Sequence, residues 1–265
     1  MSKLGHDSGI KDEAVFLKAY KKELYKKPSV TTDIVIFTVL DADLKVLLIK
    51  RGGHPFKDCW AIPGGFLDVN DEDEDQGEDL EACAYRELLE ETSLDMNDHG
   101  IHLEQLYTFG DAGRDPRTRV ITVAYFALVP PHLAPFVRPK DDARDAQWVS
   151  VGSEIDWDNL AFDHKKILRM AVDRVRGKVD YSPVAFSLLP ETFTVKELRA
   201  VHEAVKGVTY DSGNFRRRFK RMQTDGVIEE APGKRHTERR PAKVYRFVRD
   251  PDRPSEMYRI SAREA

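Results

Sequence analysis

Gly64-Gly65-Phe66, then Glu78, then Arg86-Glu87-Leu88-Leu89-Glu90-Glu91-Thr92-Ser93-Leu94 is the stretch whose reading decides the first two thirds of the chain. The apolar spacing predicts a helix over 78–92. At 100° per residue Leu80, Cys83, Ala84, Glu87 and Glu91 share one stripe, so a face that begins apolar ends in carboxylates. Glu87 and Glu91 lie one turn apart with Glu90 beside them, and such like-charge pairs repel by about 0.2–0.5 kcal/mol each. A divalent cation reverses that penalty. Hard Mg²⁺ or Mn²⁺ takes carboxylate oxygens and shares its other positions with water and substrate phosphates. Arg86 stands four residues before Glu90 and can pair with it. Taken alone, the same helix is also what a solvated, salt-bridged surface produces.

Outward from this helix, strands are expected over 31–40 and 45–51, both rich in Val and Ile, with Asp41-Ala42-Asp43 turning between them. Trp60-Ala61-Ile62-Pro63-Gly64-Gly65-Phe66 reads as a short apolar strand, broken where the backbone must turn or approach a neighbour closely. Further strands are expected over 103–108, 120–129 and 146–151. A closing helix is expected over 160–176, with Gly177 as its stop. Strands and helices in this order make an α+β sandwich and not a regular β-α-β alternation. Arg114-Asp115-Pro116-Arg117 falls in a loop between strands. Its guanidinium forks suit a diphosphate, although a lone cluster is equally a solvent-facing turn. Arg51 and Trp60 flank the glycine turn and could clamp or stack on a ligand.

The signature residues together resemble the Nudix hydrolase superfamily, whose pattern runs Gly, five residues, Glu, seven residues, then Arg-Glu-aliphatic-any-Glu-Glu-any-Gly-aliphatic. Glu78 and Arg86 keep their spacing and every charged position is filled. Two departures stand out. Gly65 precedes Glu78 by seven residues more than the pattern allows, the difference being an insertion with Asp71-Glu72-Asp73-Glu74-Asp75, and Ser93 replaces the second Gly. The resemblance implies an N-terminal Nudix α/β/α sandwich. It implies Glu87, Glu90 and Glu91 as ligands of Mg²⁺ or Mn²⁺ and as catalytic residues with Arg86. The implied ligand is ADP-ribose or a related nucleotide, with Gly64, Gly65, Glu78, Arg51, Trp60, Arg114, Asp115 and Arg117 around it.

The net charge of −4 conceals two opposite halves. Before Tyr181 there are 24 Lys and Arg against 34 Asp and Glu, a balance of −10; from Tyr181 onward there are 18 against 12, or +6. Between Ser212 and Arg249 the count is 12 against 4, which points to a nucleic-acid partner. Thr194-Val195-Lys196-Glu197 is a capping box opening a helix whose Leu198, Val201 and Val205 form one apolar face, ended by Gly207. Asp211 or Ser212 caps a second helix with Phe215, Phe219 and Met222 spaced for burial. Cations fill five of the six positions 216–221. Short strands around 227–228 and 244–247 bracket the basic run from Gly233 to Pro241. Helix, turn, cationic helix and basic hairpin are the order of a winged helix-turn-helix, with the second helix in the major groove and the wing on phosphate. The DNA-contacting set is expected to be Lys196, Asn214, Arg216, Arg217, Arg218, Lys220, Arg221, Lys234, Arg235, Arg239 and Arg240. Binding of RNA or of an acidic protein by a basic helical hairpin stays open beside it.

With both parts in one chain, the sequence resembles the NrtR-like family of Nudix-related regulators of NAD metabolism. The matching residues are Leu160-Ala161-Phe162-Asp163-His164, Leu188-Leu189-Pro190, Phe193-Thr194, Asn214-Phe215-Arg216-Arg217-Arg218 and Arg240-Pro241-Ala242. The resemblance implies a homodimer on palindromic double-stranded operator DNA that senses ADP-ribose and represses genes of NAD synthesis. The expected boundaries are a tail or surface helix over 1–27, a Nudix-like domain over 28–178, a linker over 179–190, a winged helix over 191–250 and a tail over 251–265. Two cysteines without paired spacing, and no apolar run of membrane-crossing length, predict a reducing, cytoplasmic location and no membrane partner. Two readings follow: a ligand-gated repressor that retains hydrolytic carboxylates, or primarily an Mg²⁺-dependent ADP-ribose pyrophosphatase whose basic region serves another role.

Overall fold

The computed structural model describes residues 15, 26–69, 77–94, 101–136, 143–236 and 240–249. Most of the N-terminal stretch 1–27, the stretch 251–265, the acidic run 71–75 and Arg239 lie outside the described residues.

Strand β1 (Ser29–Leu40) is buried on both faces because its β-branched run alternates between two cores. Ile34 and Ile36 face one, and Val35, Phe37 and Val39 face the other. Asp41 and Ala42, at φ 52° and 59°, make the expected tight turn into β2 (Asp43–Arg51). The strand expected over 60–66 is two pieces, β3 (Trp60–Ala61) and β4 (Gly64–Phe66). Then come α1 (Leu80–Thr92), β5 (His102–Phe109), β6 (Val120–Leu128), β7 (Ala143–Ser150) and α2 (His164–Lys178). The mixed sheet runs β3-β2-β1-β6-β5, with β4 paired to β1 and β7 to β2. β1 and β6 are parallel, from Ser29 opposite Val120 to Phe37 opposite Leu128. β1 changes partner along its length: β4 lies against its first residues, with Asp33 opposite Gly64, and β2 against its last. That exchange delivers the two glycines to the flank of α1.

One face of the sheet is covered by α1 through Ala84 and Leu88, and the other by α2 through Ile167, Leu168, Ala171 and Val175. This is the expected α+β sandwich. The closing helix starts later than the apolar spacing suggests, because Phe162 sits in the left-handed region at φ 51° and breaks any earlier turn. Gly177 lies within the helix, which runs to Lys178 and is capped by Val179.

The connection to the C-terminal region is not a free tether. A 3-10 helix (Pro183–Leu188) buries Val184, Ala185 and Leu188, and Leu189 follows them into the core. Next come β8 (Thr192–Phe193), α3 (Val195–Lys206), α4 (Ser212–Thr224), β9 (Ile228–Arg235) and β10 (Ala242–Phe247), whose strands form a sheet in the order β8-β10-β9. The Thr194 capping box is formed in both directions: Glu197 N–H donates to Thr194 Oγ1 at 3.2 Å, and Thr194 N–H donates to Glu197 Oε2 at 2.7 Å. Gly207, at φ 68°, ends α3, and the Asp211 carboxylate caps α4. Leu198, Val201 and Val205 from α3, and Phe215, Phe219 and Met222 from α4, join the same hydrophobic cluster as α2 and β1. The two regions therefore share one core, with Phe193 fully buried at their junction.

The long loop before α1 is fastened at its ends. Glu78 N–H donates to the Asp68 carbonyl at 3.1 Å, Asp68 N–H donates to Glu78 Oε1 at 2.9 Å, and Arg86 closes a two-nitrogen fork on the same carboxylate at 2.6 and 3.1 Å. The Arg86 hydrogen bond pulls the Glu78 carboxyl down to a pKa of about 2. A folded pKa below the unfolded one means stability that is complete above pH 4.5 and is lost as pH falls toward about 2. Acid titration of stability should therefore show a loss across this window in the wild type that is diminished in Glu78→Gln. Separately, Phe193→Ala should lower unfolding free energy by about 3–5 kcal/mol, read by urea denaturation, with both regions unfolding in a single transition.

Candidate nucleotide site and DNA interface

Arg86 is the hub of the carboxylate helix. Besides Glu78 it donates to Glu87 Oε1 at 2.7 Å, to Glu90 Oε2 at 3.3 Å and to the Phe66 carbonyl at 3.0 Å. Glu87 is only 6% exposed, and its burial pushes its pKa up against the pull of Arg86. Gly65 explains how a carboxylate fits there: a Cβ on it would stand 2.2 Å from Glu87 Oε1. Gly64, at φ 155°, has no more room, its Cβ falling 2.3 Å from the Thr32 carbonyl oxygen. The expected close approach at the glycine pair is thus an approach to the helix carboxylate. Glu90 is exposed and Glu91 half-buried on the next turn. The donor chemistry suits a hard divalent cation, since every group is a carboxylate and one is desolvated. The cage is not preformed. Among the described residues no three His, Cys, Asp or Glu side chains are arranged to hold a metal ion, and Arg86 is the cation engaging Glu87 and Glu90.

Across the sheet edge lies a second group of side chains. The Arg51 guanidinium sits 4.8 Å over the Phe162 ring; Arg117 sits 5.9 Å from the same ring and 5.4 Å from Phe66. Phe56 packs on Phe162 at 4.8 Å. Burial first, and repulsion from Arg117 second, lower the pKa of Arg51. Asp115 is buried and holds Arg117 through a fork at 2.7 and 3.1 Å. Two cations thus converge on one aromatic ring, with Asp115 bonded to Arg117 and Asp33 also favouring the charge of Arg51.

Two residues expected around the ligand are engaged within the protein. The Arg114 side chain is 4% exposed and its donors are taken by Asp163, at 2.7 and 3.1 Å, and by Asp33, at 3.2 Å. Burial opposes its charge, but the two carboxylates outweigh that and hold its pKa above the ordinary value. Its Nε and Nη2 thus make it a buried strut between α2 and β1. Trp60 is the register partner of Lys50, whose ammonium lies 5.8 Å over the indole, whereas Arg51, next along β2, points to the opposite face. Trp60 contributes through its backbone, which bonds Asn159 and Ala161. Asp33, Phe56, Phe66, Phe162, Asp163 and His164 were not anticipated as site residues. Asp33 had a sequence signal, being a lone carboxylate in an apolar strand. His164 is buried and neutral, its Nδ1 accepting from Ile62 N–H at 3.1 Å.

On α4, Arg216, Arg217, Lys220 and Arg221 are exposed on the face opposite Phe215, Phe219 and Met222. Arg217 donates to the side-chain oxygen of Asn214, which is half-buried. Lys196, Lys234 and Arg240 are also exposed. Two members of the expected DNA-contacting set turn elsewhere. Arg235 is fixed to Glu197 at 2.5 Å and to the Thr192 carbonyl at 2.8 Å, binding the wing's base to the start of α3. Arg218 points inward, its guanidinium 5.6 Å from the Tyr210 ring and 5.8 Å from Phe215, because the buried stripe of α4 passes through its position. Arg239 lies outside the described residues. Both cysteines are free, and no helix among the described residues is long and apolar enough to cross a membrane.

Comparison with known proteins gives the same two parts. Residues 30–170 match the NUDIX domain, and residues 185–247 match the NrtR DNA-binding winged helix domain. An ADPR responsive transcriptional repressor, NtrR, from Acinetobacter baylyi is 38% identical over 236 residues, covering 89% of this chain and 88% of that protein. An ADP-ribose pyrophosphatase from Methanocaldococcus jannaschii is 35% identical over 153 residues, covering 58% of this chain and 77% of that protein. Among solved structures, Shewanella oneidensis NrtR complexed with a 27mer DNA superposes with a TM-score of 0.68 at 33% identity, covering 83% of this chain and 93% of that one. The carboxylate helix, the shared core and the cationic helix thus belong to one architecture, and the chain is a member of the NrtR family of NUDIX-domain transcriptional regulators.

Proposed function

We propose that the chain is a homodimeric cytoplasmic repressor of NAD-metabolism genes, holding palindromic operator DNA through α4 and the β9–β10 wing and releasing it when ADP-ribose occupies the Nudix domain. The observation that carries the ligand assignment is the Arg51 and Arg117 pair over Phe162. These cations repel one another in the free protein, and a diphosphate between them would remove that cost while a ring of the ligand packs on Phe56 and Phe162. The A. baylyi repressor, named for its response to ADPR, and the DNA-bound S. oneidensis protein support the same reading.

The retained carboxylates support a second activity, hydrolysis of ADP-ribose to AMP and ribose 5-phosphate. Glu87, Glu90 and Glu91 would hold Mg²⁺ or Mn²⁺, which would offset diphosphate charge and acidify a bound water. Gly65 keeps the space into which Glu87 folds, and Arg86 holds Glu78, Glu87 and Glu90 in mutual register. Because Arg86 engages Glu87 and Glu90, a metal has to compete with it for both, and turnover should be slow. The relative named as an ADP-ribose pyrophosphatase favours this activity. Expected boundaries over 28–178 and 191–250 are kept as the functional division, with 179–190 as a packed hinge and not a loose linker.

Incubation of ADP-ribose with protein and Mn²⁺ should release AMP, and Glu91→Gln should remove it. Equal AMP from both would leave the helix as a binding platform only. On DNA, a duplex selected by the protein from a random pool should carry half-sites about 34–36 Å apart. Arg216→Ala should cost about 1–3 kcal/mol on that duplex and less on random DNA, whereas Lys234→Ala should weaken both alike and flatten the salt dependence. Equal losses for Arg216→Ala on both duplexes would exclude base reading by α4.

A further inference from the structure

The nucleotide site and α4 meet opposite ends of a single helix. At the N-terminal end of α2, Phe162 carries the Arg51 and Arg117 guanidiniums, and Asp163 at the cap position holds the Arg114 fork. Phe162 is kept in the left-handed region at φ 51°, a strained setting for an aromatic residue that its surroundings must enforce. The 15 residues of α2 span about 22 Å at 1.5 Å per residue. Just past its far end stands Asp180, already among residues of the winged helix.

There the contacts are uneven. Asp180 Oδ2 takes the Lys206 ammonium at 2.5 Å, while Oδ1 lies 4.0 Å from Nη2 of Arg218 on α4. The Arg218 side chain is only 18% exposed, and its Nε and Nη2 have no hydrogen-bond partner. Beside it His202 is fully buried with neither ring nitrogen bonded, and the polar groups that favour the Arg218 charge are the Tyr210 hydroxyl and the Asp180 carboxylate. The end of α3 is bolted to the same helix: Arg176 Nε donates to the Val205 carbonyl at 3.2 Å, and Lys206 Nζ donates to the Arg176 carbonyl at 3.4 Å. A buried cation about 1 Å short of a charge-assisted hydrogen bond is sensitive to small movements of its carboxylate, because closing that gap turns a weak contact into a strong one.

We propose that Asp180 and Arg218 are the joint that positions α4 in response to the nucleotide site, with α2 as the rod between them; this rests on the reading of the chain as an ADP-ribose-gated repressor. A ligand pressing on Phe162 and the Arg51–Arg117 pair moves α2 at its N-terminal end, and Asp180 carries the shift to the one arginine of α4 that faces inward. Arg218 is a positioning residue, distinct from the outward Arg216 and Arg217.

The test uses the full-length Glu91→Gln protein, so that ADP-ribose persists, and a duplex selected from a random pool by the wild-type chain. Duplex affinity is measured with and without ADP-ribose, together with ADP-ribose affinity and the thermal midpoint of free protein. In the parent the two duplex affinities should differ by about 5- to 150-fold. Asp180→Asn should bring that ratio close to one while ADP-ribose affinity stays within about twofold, and Asp180→Glu should restore part of the ratio. A parental ratio in Asp180→Asn would overturn the proposal. So would a fall in thermal midpoint with joint loss of ligand and DNA binding, which would make Asp180 a residue that merely holds the fold. A ratio of one both in the parent and in the wild-type chain assayed with EDTA to block hydrolysis would instead remove the gated-repressor reading, and this inference with it.

Discussion

The buried fork of Arg114 on Asp163, braced by Asp33, is the interaction on which the arrangement of this molecule depends. It ties the N-cap residue of α2 to the central strand of the sheet, near the glycine pair and the arginines that meet over Phe162. Removing one partner of a buried ion pair typically costs about 3–5 kcal/mol, because the remaining charge is left without compensation. The fork therefore fixes where α2 begins. That in turn places Phe162 under Arg51 and Arg117 and sends the apolar face of the helix along the sheet into the hydrophobic cluster of the winged helix.

The same chain thus separates its charges by task. Carboxylates gather on and just before α1, where Arg86 holds Glu78, Glu87 and Glu90, and two guanidiniums gather around Phe162, Arg117 held by Asp115 and Arg51 desolvated beside it. Cations on α4 and the wing face outward except where the core stripe claims Arg218, and where Arg235 is used to fasten the wing. One hydrophobic cluster joins α2 to the helices of the winged region, while α1 packs in a second cluster on the other face of the sheet. The linker contributes to that as well, since its Val184, Ala185, Leu188 and Leu189 are packed in the same cluster and not solvated.

Much of this was legible in the residues. Period-two and period-3.6 patterning located nearly every strand and helix, and the capping box, the left-handed Gly207 and the turn at Asp41 were each marked by their local chemistry. The glycine pair announced a close approach, though only the fold says that Glu87 is what approaches. What patterning could not reveal is partner choice between distant segments. Arg114 and Arg117 look alike in their loop, yet one is consumed by Asp33 and Asp163 while the other faces the site. Arg218 looks like its neighbours, but the hundred-degree step of the helix puts it beside Phe215 and Tyr210. Strand β8, of two residues, is too short to show a period, and Phe162 delayed the start of the expected helix through a backbone conformation that no propensity would assign to phenylalanine.

The central claim is that nucleotide site and DNA-reading helix form one connected body through α2. Hydrogen exchange of the full-length protein, with and without ADP-ribose, examines it most directly. Protection should change along α2 and at the amides of α4, some 20 Å from the ligand by the length of the helix. A change confined to the residues around Arg51, Phe66, Arg117 and Phe162, with α2 and α4 exchanging as before, would contradict the account.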